Sequence, residues 1–470
     1  MMWIKKVFSV LIGVIEYIFE QLLDLLTGKK PSHKYEARFI SEKSVLSKRH
    51  KGFCINGKYN LPLKDSYQNA LIIGGTGTGK SSVTLIPSIY TMQGSMIIHD
   101  PSGELFLKSS GRLKERGYKV QILNFADARY SVGFNPLARV HSLSDTNKLA
   151  SLLIRTALGN SKEAFWNFQA TSLLSVLIRI IKLQENRYHT LSNIRYLLQI
   201  MSAKPDDILR LPNVYQDEEL TTAYRSFTAY DEKLLTNIIA TCLSALSLFE
   251  DNVVEQITSI DTLDLEQFRY TKIALFIQNG ISEQSYYSPL TNVFFEQMFS
   301  HILQRLPDKN DLDIFFLIDE CASLYIPILP LAVANVRKYR AGMLLVLQDF
   351  NQLIQSYGKN DAQSILSNCR TQLYFTGQSL ETARYLEHIL GKYQYEDEKG
   401  DIRIRPLMTA DEIRTMKSDK AILLSGNQRP ILTNLRPYFK YKKWQKYARL
   451  TPQIIPGNIP KITHRISIPD

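Results

Sequence analysis

Short apolar runs separated by polar stretches predict a mixed fold of helices and strands. Runs of strand length occur at residues 69–74, 95–99, 119–123, 272–277, 314–318, 343–347, 372–375 and 421–424. Most of these segments are continuous apolar runs, so the strands are expected to be buried on both faces. We therefore predict an α/β fold whose sheet is mostly parallel and is covered by helices on both sides.

The apolar pattern changes to helical spacing between residues 142 and 264. Apolar side chains recur every three or four positions there, most clearly in residues 170–183 and 234–248. This spacing places them on one face of an α-helix. The region is predicted to be an all-α domain inserted into the α/β fold.

The amino-terminal 28 residues are predicted to form an amphipathic helix. Three carboxylates, Glu16, Glu20 and Asp24, recur on one face of this segment, while the opposite face is apolar. Because carboxylates inside a membrane span are costly, we predict no transmembrane helix here. Three alternatives stay open: the helix lies on a membrane surface, packs on a partner protein, or covers its own domain.

Polar segments follow the amino-terminal helix and close the chain. Residues 29–53 are rich in Lys and Arg and are predicted to be a basic connector. Residues 441–470 begin with basic and aromatic side chains and continue with Pro452, Pro456 and Pro460, which predicts an extended tail. The aromatic residues between 436 and 449 would stack on nucleic-acid bases. The alternative is a solvated tail with a few aromatic side chains resting on the body.

The charge of the chain indicates a polyanionic partner. The 470 residues include 57 Lys and Arg against 45 Asp and Glu, a formal net charge of +12. Such an excess favours nucleic acid or an anionic membrane surface, although many basic proteins bind neither. The four cysteines lie far apart without C-x-x-C spacing, which is typical of reduced thiols in a cytosolic protein.

The strongest chemical signal is a phosphate-binding loop. Residues 74–81 read Gly-Gly-Thr-Gly-Thr-Gly-Lys-Ser, which fits G-x-x-x-x-G-K-[ST] between a predicted strand and a predicted helix. We expect Lys80 to reach the β- and γ-phosphates of ATP and Ser81 to ligate Mg²⁺. The predicted nucleotide-binding residues are Gly74, Gly75, Thr76, Gly77, Thr78, Gly79, Lys80, Ser81 and Ser82. The α/β segments 54–141 and 265–440 are therefore predicted to form one nucleotide-binding domain.

A phosphate-binding loop needs an acid for the metal and a group that activates water. Asp319 and Glu320 follow the apolar run 314–318, so Asp319 is predicted to hold Mg²⁺ and Glu320 to polarise the water. Gln348 ends the next predicted strand and is a candidate sensor of the γ-phosphate. Arg337, Arg340 and Arg370 are candidates for an arginine finger, and Arg370 is the one we assign.

An ordered set of motifs, beyond the phosphate-binding loop, resembles the TraG-type coupling proteins of type IV secretion and conjugation. In chain order the motifs are Lys34-Tyr-Glu-Ala-Arg-Phe39, Asp100-Pro-Ser-Gly-Glu104-Leu-Phe, Gly133-Phe-Asn-Pro-Leu137, Phe165-Trp166, Leu317-Ile-Asp-Glu-Cys-Ala-Ser-Leu324, Gln348-Asp-Phe-Asn-Gln-Leu353, Tyr357-Gly358 and Ser367-Asn-Cys-Arg370. The sequence departs from the family at Ser102, where members often carry lysine, and in lacking two membrane-spanning helices at the amino terminus.

The resemblance implies a RecA-like nucleotide-binding domain, interrupted by an all-α domain and assembled as a homohexamer with ATP sites between subunits. Such rings recruit relaxase-bound single-stranded DNA from relaxosome proteins and pump it to the type IV secretion channel. We expect a cytoplasmic location, with peripheral contact at the inner face of the cell membrane. The alternatives are a double-strand DNA translocase of the FtsK or HerA type, against which the DPSGE stretch argues, and a platform that recruits secreted proteins.

Overall fold

The computed structural model describes residues 35–158, 164–453, 456–461 and 463–469. The predicted amphipathic helix at 1–28 and the first residues of the predicted connector lie outside this part of the chain. Among the described helices, none combines the length and the apolar character that crossing a membrane requires.

The centre of the described structure is a nine-stranded sheet in the order β11-β10-β7-β1-β6-β5-β2-β4-β3. The strands from β7 to β3 are parallel to their neighbours, and β10 pairs antiparallel with both β7 and β11. The strands are β1 Ala70–Ile73, β2 Ser95–His99, β3 Lys119–Leu123, β4 Ile273–Ile277, β5 Ile314–Ile318, β6 Ala341–Leu347, β7 Thr371–Phe375, β10 Lys420–Ser425 and β11 Ile431–Asn434.

Both faces of the sheet are buried, as the uniformly apolar runs predict. In β1 the side chains of Leu71 and Ile73 belong to one apolar cluster, and those of Ala70 and Ile72 belong to the other. The two clusters lie on opposite faces because successive side chains of a strand point in opposite directions. Helices have to cover both faces, and this three-layer arrangement confirms the predicted α/β fold class.

Helices surround the sheet and also form a separate group between β3 and β4. Those outside that group are α1 Leu63–Ser66, α2 Ile86–Thr91, α3 Glu104–Glu115, α10 Gln284–Gln304, α11 Leu329–Asn335, α12 Phe350–Asn368, α13 Leu380–Leu390, α14 Ala410–Arg414 and α15 Lys442–Ala448. The group between β3 and β4 comprises α4 Leu143–Leu158, α5 Ala164–Lys182, α6 Leu191–Ala203, α7 Glu218–Thr228, α8 Glu232–Ala245 and α9 Asn252–Ser259.

The α4 to α9 group occupies the region predicted to be an all-α insertion. Its helices pack mainly on one another, with α4, α5 and α8 in mutual contact, and α4 also contacts α10 on the sheet. Local capping fixes several of the helix starts: the side chains of Thr190, Asp217 and Asp231 each accept a backbone N–H three residues later. The exact domain boundaries at 142 and 264 stay a prediction.

The apolar pattern of the sequence does not predict two features of the strands. The strand β11 is short and half-buried, and a separate two-stranded sheet is formed by β8 Lys392–Glu396 and β9 Ile402–Pro406. The β8–β9 hairpin is largely exposed, so its residues do not form a continuous apolar run. Residues 35–37 add a further antiparallel contact to the outer edge of β8.

The described part of the predicted basic connector, residues 35–53, is partly embedded in the body. Val45, Leu46 and Phe53 are buried in the apolar cluster on one face of the sheet. Glu42 accepts hydrogen bonds from Asn56 and Thr433 and forms an ion pair with Arg436 at 3.2 Å. These apolar side chains are spaced too widely among Lys and Arg residues to give a recognisable pattern.

The prediction of an extended tail over 441–470 is wrong for its first part. Residues 442–448 form the helix α15, which packs on α3. Trp444, Tyr447 and Ala448 follow helical spacing and contact the same apolar cluster as Phe53. The aromatic side chains of this segment are therefore used for packing. The later described residues form no helix or strand and contact α3, α6 and α9.

Replacing Tyr447 should release α15 from the body. The Tyr447 ring lies 5.5 Å from the ring of Tyr90 and beneath the guanidinium of Arg112 at 4.2 Å. Tyr447→Ala is expected to lower the free energy of unfolding by about 1–2 kcal/mol, because a half-buried ring and a cation–π contact are lost. Urea denaturation measures this change. Lys446→Ala, at an exposed position on the same helix, should stay within about 0.5 kcal/mol of the parent chain.

Candidate nucleotide site

The candidate site lies where three neighbouring parallel strands end. In the sheet β1 is next to β6, and β6 is next to β5. Because their carboxyl ends meet at the same edge, the loop after Ile73, the pair Asp319–Glu320 and the residue Gln348 come together there. Open α/β sheets bind ligands at this edge.

The glycine loop folds around the side chain of Lys80. The ammonium group donates to the carbonyl oxygens of Gly74 at 2.5 Å and Gly75 at 3.0 Å. Lys80 is almost fully buried, and this burial lowers its pKa, although the carboxylates of Glu320 and Asp319 oppose the shift. Gly77 and Gly79 have φ angles of 76° and 89°, a conformation that glycine adopts without strain.

The helix after the loop begins with a π-helical turn, where a regular α-helix was expected. Ser81–Leu85 form this turn, and Ile86 donates its N–H to the Ser81 carbonyl, five residues back. Pro87 has no N–H to donate, so the regular ladder is interrupted there, and α2 starts at Ile86. Single π-helical turns are frequent at functional sites.

Asp319 lies beside Ser81 across the edge of the sheet. The Ser81 hydroxyl donates to Asp319 Oδ2 at 3.2 Å. Burial raises the pKa of Asp319 to about 6, and the carboxylates of Glu320 and Asp100 add to the increase, while Ser81 and Lys80 oppose it. A half-buried hydroxyl–carboxylate pair in which the carboxylate is short of positive charge suits a hard cation such as Mg²⁺.

Glu320 is linked to the glycine loop through Gln348. Gln348 Nε2 donates to Glu320 Oε1 at 2.7 Å, and Thr76 Oγ1 donates to Gln348 Oε1 at 3.2 Å. Glu320 has a φ angle of 52°, in the left-handed region that non-glycine residues seldom adopt. Such a backbone conformation, held in place by its surroundings, is often found at active sites.

His99 supports the acidic pair and was missed in the sequence. It ends β2 and is fully buried, with Nδ1 2.7 Å from the carbonyl oxygen of Asp319. A carbonyl only accepts, so Nδ1 carries the proton, and burial lowers the pKa of His99 to about 4, which keeps the ring neutral. The one available signal was a polar residue at the end of an apolar strand.

Asp100 and Glu104 have different surroundings although both come from one motif. The carboxylate of Asp100 is buried and accepts the backbone N–H groups of Leu105 and Phe106, at 3.1 Å and 2.8 Å. Asp100 therefore holds the first turn of α3 against the sheet. Glu104 is exposed. In this structure Asp100 has a structural contact, and its carboxylate is not directed at the glycine loop.

The three candidate arginines lie at the opposite edge of the sheet. Arg370 and Arg337 both donate to Gln68 Oε1, at 3.2 Å and 3.3 Å, beside the amino end of β1. Arg340 forms an ion pair with Asp313 at 2.8 Å, before β5 begins. The length of a strand, about 15 Å, separates these groups from the glycine loop of the same chain. The structure thus does not bring Arg370 to the site with Lys80.

Comparison with known proteins finds similar sequences among proteins of conjugative DNA transfer. A family model described as type IV secretory system conjugative DNA transfer matches residues 27–455. The chain is 23% identical over 399 residues to Protein VirD4 of Rhizobium radiobacter, which covers 82% of this chain and 57% of that protein. It is 24% identical over 413 residues to the conjugal transfer protein TraG of Escherichia coli, covering 78% and 64%. The chain thus spans less than two thirds of either relative.

A solved structure with the same fold is the plasmid coupling protein TrwB in complex with the GTP analogue GDPNP. The TM-score is 0.67 at 20% sequence identity, with 87% of this chain and 96% of that chain covered. At 20% sequence identity the structural similarity shows a shared fold and nothing further. It confirms the predicted RecA-like α/β architecture, with a mostly parallel sheet and an accompanying group of helices.

The raised pKa of Asp319 predicts a pH-dependent stability. Its pKa is about 6 in the folded chain, against an ordinary value of 3.8. The stability present below about pH 4 is therefore lost as the pH rises through about 6. Asp319→Asn has no carboxyl group to titrate at this position and therefore removes this loss. The free energy of unfolding of the variant minus that of the parent chain should rise by about 1–2 kcal/mol between pH 4 and 7. Denaturant unfolding without nucleotide or metal measures the difference.

The control for this prediction is Asp127→Asn. A hydrogen bond from Arg129 lowers the pKa of Asp127, so this residue stabilises the fold above its ordinary pKa and loses that effect on acidification. The difference between Asp127→Asn and the parent chain should therefore be small or of opposite sign. A flat pH profile for Asp319→Asn relative to the parent would contradict the buried, uncompensated carboxylate.

Proposed function

The chain belongs to the type IV secretory system conjugative DNA transfer family, and we propose that it is an ATP-driven coupling protein that pumps relaxase-bound single-stranded DNA toward a secretion channel. The observation that carries the proposal is the convergence of Lys80, Ser81, Asp319 and Glu320 at one edge of the sheet. The proposed partners are relaxosome proteins, channel components and copies of the same chain.

The residues at the site fit ATP and magnesium. Lys80 is a buried ammonium group whose described hydrogen-bond partners are two carbonyl oxygens, and Gly74–Gly79 surround it. Ser81 and Asp319 offer two oxygen ligands for Mg²⁺ at 3.2 Å from each other. Bound magnesium would neutralise phosphate charge during phosphoryl transfer. Known structures of TrwB, a protein of the same fold, contain ADP with Mg²⁺, and this supports the assignment.

The remaining residues are assigned by their contacts. We assign Glu320 to accept the proton of the attacking water, because its carboxylate lies beside the glycine loop. Gln348 joins Glu320 to Thr76, so it is placed to relay the state of the phosphate-binding loop to the water-activating group. His99 is a positioning residue, since it holds the Asp319 carbonyl and has no contact with the glycine loop among its described hydrogen bonds.

Movement of DNA requires a second element besides the nucleotide site. The group α4 to α9 is joined to the nucleotide-binding body at both of its ends, so a change in the body reaches it directly. We propose that residues 142–264 contact the DNA and its processing proteins, while 54–141 and 265–440 bind and hydrolyse ATP. A change at the nucleotide edge is then transmitted through β3, β4 and α10 to the insertion.

We further propose a sixfold ring in which Arg370 acts on the nucleotide of a neighbouring subunit. Arg370 is about one strand length from its own glycine loop, so it cannot serve that site. In a ring packed head to tail, the amino edge of one sheet faces the carboxyl edge of the next. Arg337 shares the contact to Gln68 and is the second candidate at this edge.

The ATPase rate in the presence of DNA tests the proposed function. We expect single-stranded DNA to stimulate hydrolysis more than double-stranded DNA, with an apparent affinity that falls by at least about tenfold between 50 and 200 mM salt, because phosphate contacts release counterions. Mass measurement on the same samples should show a hexamer. Stimulation by double-stranded DNA alone would favour a duplex translocase, and DNA-independent hydrolysis with tight effector binding would favour a recruitment platform.

Variants make this test specific for the assigned residues. Glu320→Gln should reduce hydrolysis by about 10²- to 10⁴-fold and retain nucleotide binding. Lys80→Ala should lose both, because the ammonium group holds the phosphates. The control is Lys114→Ala, which removes a lysine that is exposed on α3. Near-normal turnover in Glu320→Gln would contradict its role with water.

Mixing two inactive variants tests the action of Arg370 between subunits. Arg370→Ala chains keep an intact glycine loop, and Lys80→Ala chains keep an intact arginine. In mixed rings some sites combine both intact groups, so part of the ATPase activity should return, although each variant alone is inactive by about 10³-fold or more. Arg384→Ala, on α13, is the matched arginine control and should leave the rate unchanged. No recovery in mixtures of confirmed hexamers would exclude this role for Arg370.

A further inference from the structure

The extended end of the chain crosses from the nucleotide-binding body to the helical insertion. Gln453 donates its backbone N–H to Ser110 Oγ on α3 at 3.1 Å, and Gly457 donates to the Arg129 carbonyl at 2.8 Å. Residues 464–466 then contact α6 and α9 of the insertion. The described tail is therefore hydrogen-bonded first to the nucleotide-binding body and then to the insertion.

The contact on the insertion is built like a peptide-binding site. Asn193 is buried at 2% exposure and uses both ends of its amide: Nδ2 donates to the His464 carbonyl at 2.8 Å, and Oδ1 accepts the N–H of Ile466 at 3.1 Å. This arrangement reads the backbone of an extended segment and is independent of its side chains. We call the residues Ser192, Asn193, Tyr196 and Glu255 the tail-docking surface.

Two side chains of the tail add selectivity to the backbone contacts. The guanidinium of Arg465 forms an ion pair with Glu255 at 3.3 Å, lies over the ring of Tyr196 at 5.2 Å, and donates to the Ser192 carbonyl. The side chain of Glu255 is only 15% exposed, and Arg465 is its one side-chain partner among the described residues. Ile466 is buried in the main apolar cluster.

The tail is held at few points, so it can leave. Among residues 456–461 and 463–469, Ile466 is the one buried side chain. This burial is opposed by the conformational entropy that the segment loses when it is held in place. The rest of the described segment is exposed or half-exposed and forms no helix or strand. When the tail leaves, Asn193 loses two hydrogen bonds and Glu255 loses its counter-ion. Both changes favour rebinding of a segment with the same chemistry.

We propose that the tail-docking surface binds an extended peptide segment of a partner protein, with an arginine followed by a branched aliphatic residue, and that the chain's own residues 464–466 occupy it as an internal competitor. The carboxylate of Glu255 selects the arginine, the apolar cluster takes the aliphatic side chain, and Asn193 holds the backbone between them. The chain's own tail is part of the same molecule, so its effective concentration at the surface is high. Only a partner that binds tightly or is abundant displaces it. This surface and its occupant are independent of the nucleotide site.

Peptide binding to full-length chains tests the proposal. The probe is a fluorescein-labelled synthetic peptide of residues 456–470, followed by fluorescence anisotropy. The double variant Arg465→Glu/Ile466→Ser prevents the chain's own tail from binding to the tail-docking surface. It should therefore bind the probe at least about tenfold more tightly than the parent chain, in which the tail competes with the probe. Lys461→Glu changes an exposed tail residue by the same charge and should bind like the parent.

A charge exchange decides whether the surface itself is the site. In chains with Arg465→Ala/Ile466→Ser, whose own tail pairs with neither charge, Glu255→Arg should abolish binding of the probe and restore binding of a peptide that carries Arg465→Glu. Thermal unfolding and elution volume establish that each variant is folded, and Arg465→Ala alone, at a half-exposed side chain, replaces the double variant if Ile466→Ser does not fold. Folded variants that fail to bind the probe, or bind it regardless of Glu255→Arg, would overturn the proposal. It would equally fall if a single-stranded oligonucleotide, and no peptide, bound the vacated surface.

Discussion

A buried ammonium group that faces two half-buried carboxylates at the same edge of a parallel sheet is the constraint on which the rest of this structure depends. Lys80, Asp319 and Glu320 come from segments more than two hundred residues apart, and only the adjacency of β1, β6 and β5 brings them together. Each charge alone would be costly to bury, since desolvation lowers the pKa of Lys80 and raises that of Asp319. The carbonyl oxygens of the glycine loop offset part of this cost for Lys80, and the Ser81 hydroxyl offsets part of it for Asp319.

The same parallel arrangement separates two chemical functions. The glycine loop follows the carboxyl end of β1 and the acidic pair follows that of β5, whereas Arg337, Arg340 and Arg370 lie beside the amino ends of β6 and β7. A monomer with this geometry has the glycine loop and the arginines on opposite edges of one sheet. An assembly in which these edges meet would make hydrolysis depend on contact between subunits, which is a direct way to order ATP turnover around a ring.

The helical insertion is tied to the body in more than one way. It leaves after the carboxyl end of β3 and returns before the amino end of β4, and because these neighbouring strands are parallel, the two connections lie at opposite edges of the sheet. The carboxyl-terminal segment adds a third connection, from α3 to α6 and α9. A partner that displaces this segment would free the insertion from one of its attachments to the body. In this way recruitment of a partner and movement of the insertion become coupled.

The sequence by itself determined the chemistry and the layer architecture of this protein. The glycine loop, the acidic pair and the eight apolar runs are local patterns, because a loop that wraps phosphate and a strand buried on both faces impose their requirements on adjacent residues. Only the tertiary structure decided which distant groups meet. It placed His99 behind Asp319, put Arg370 on the far edge, folded residues 442–448 into a helix, exposed the β8–β9 hairpin, and seated Ile466 on the insertion. These outcomes depend on long-range burial and strand order, and a single polar or aliphatic side chain carries no local signal of the surface that it will contact.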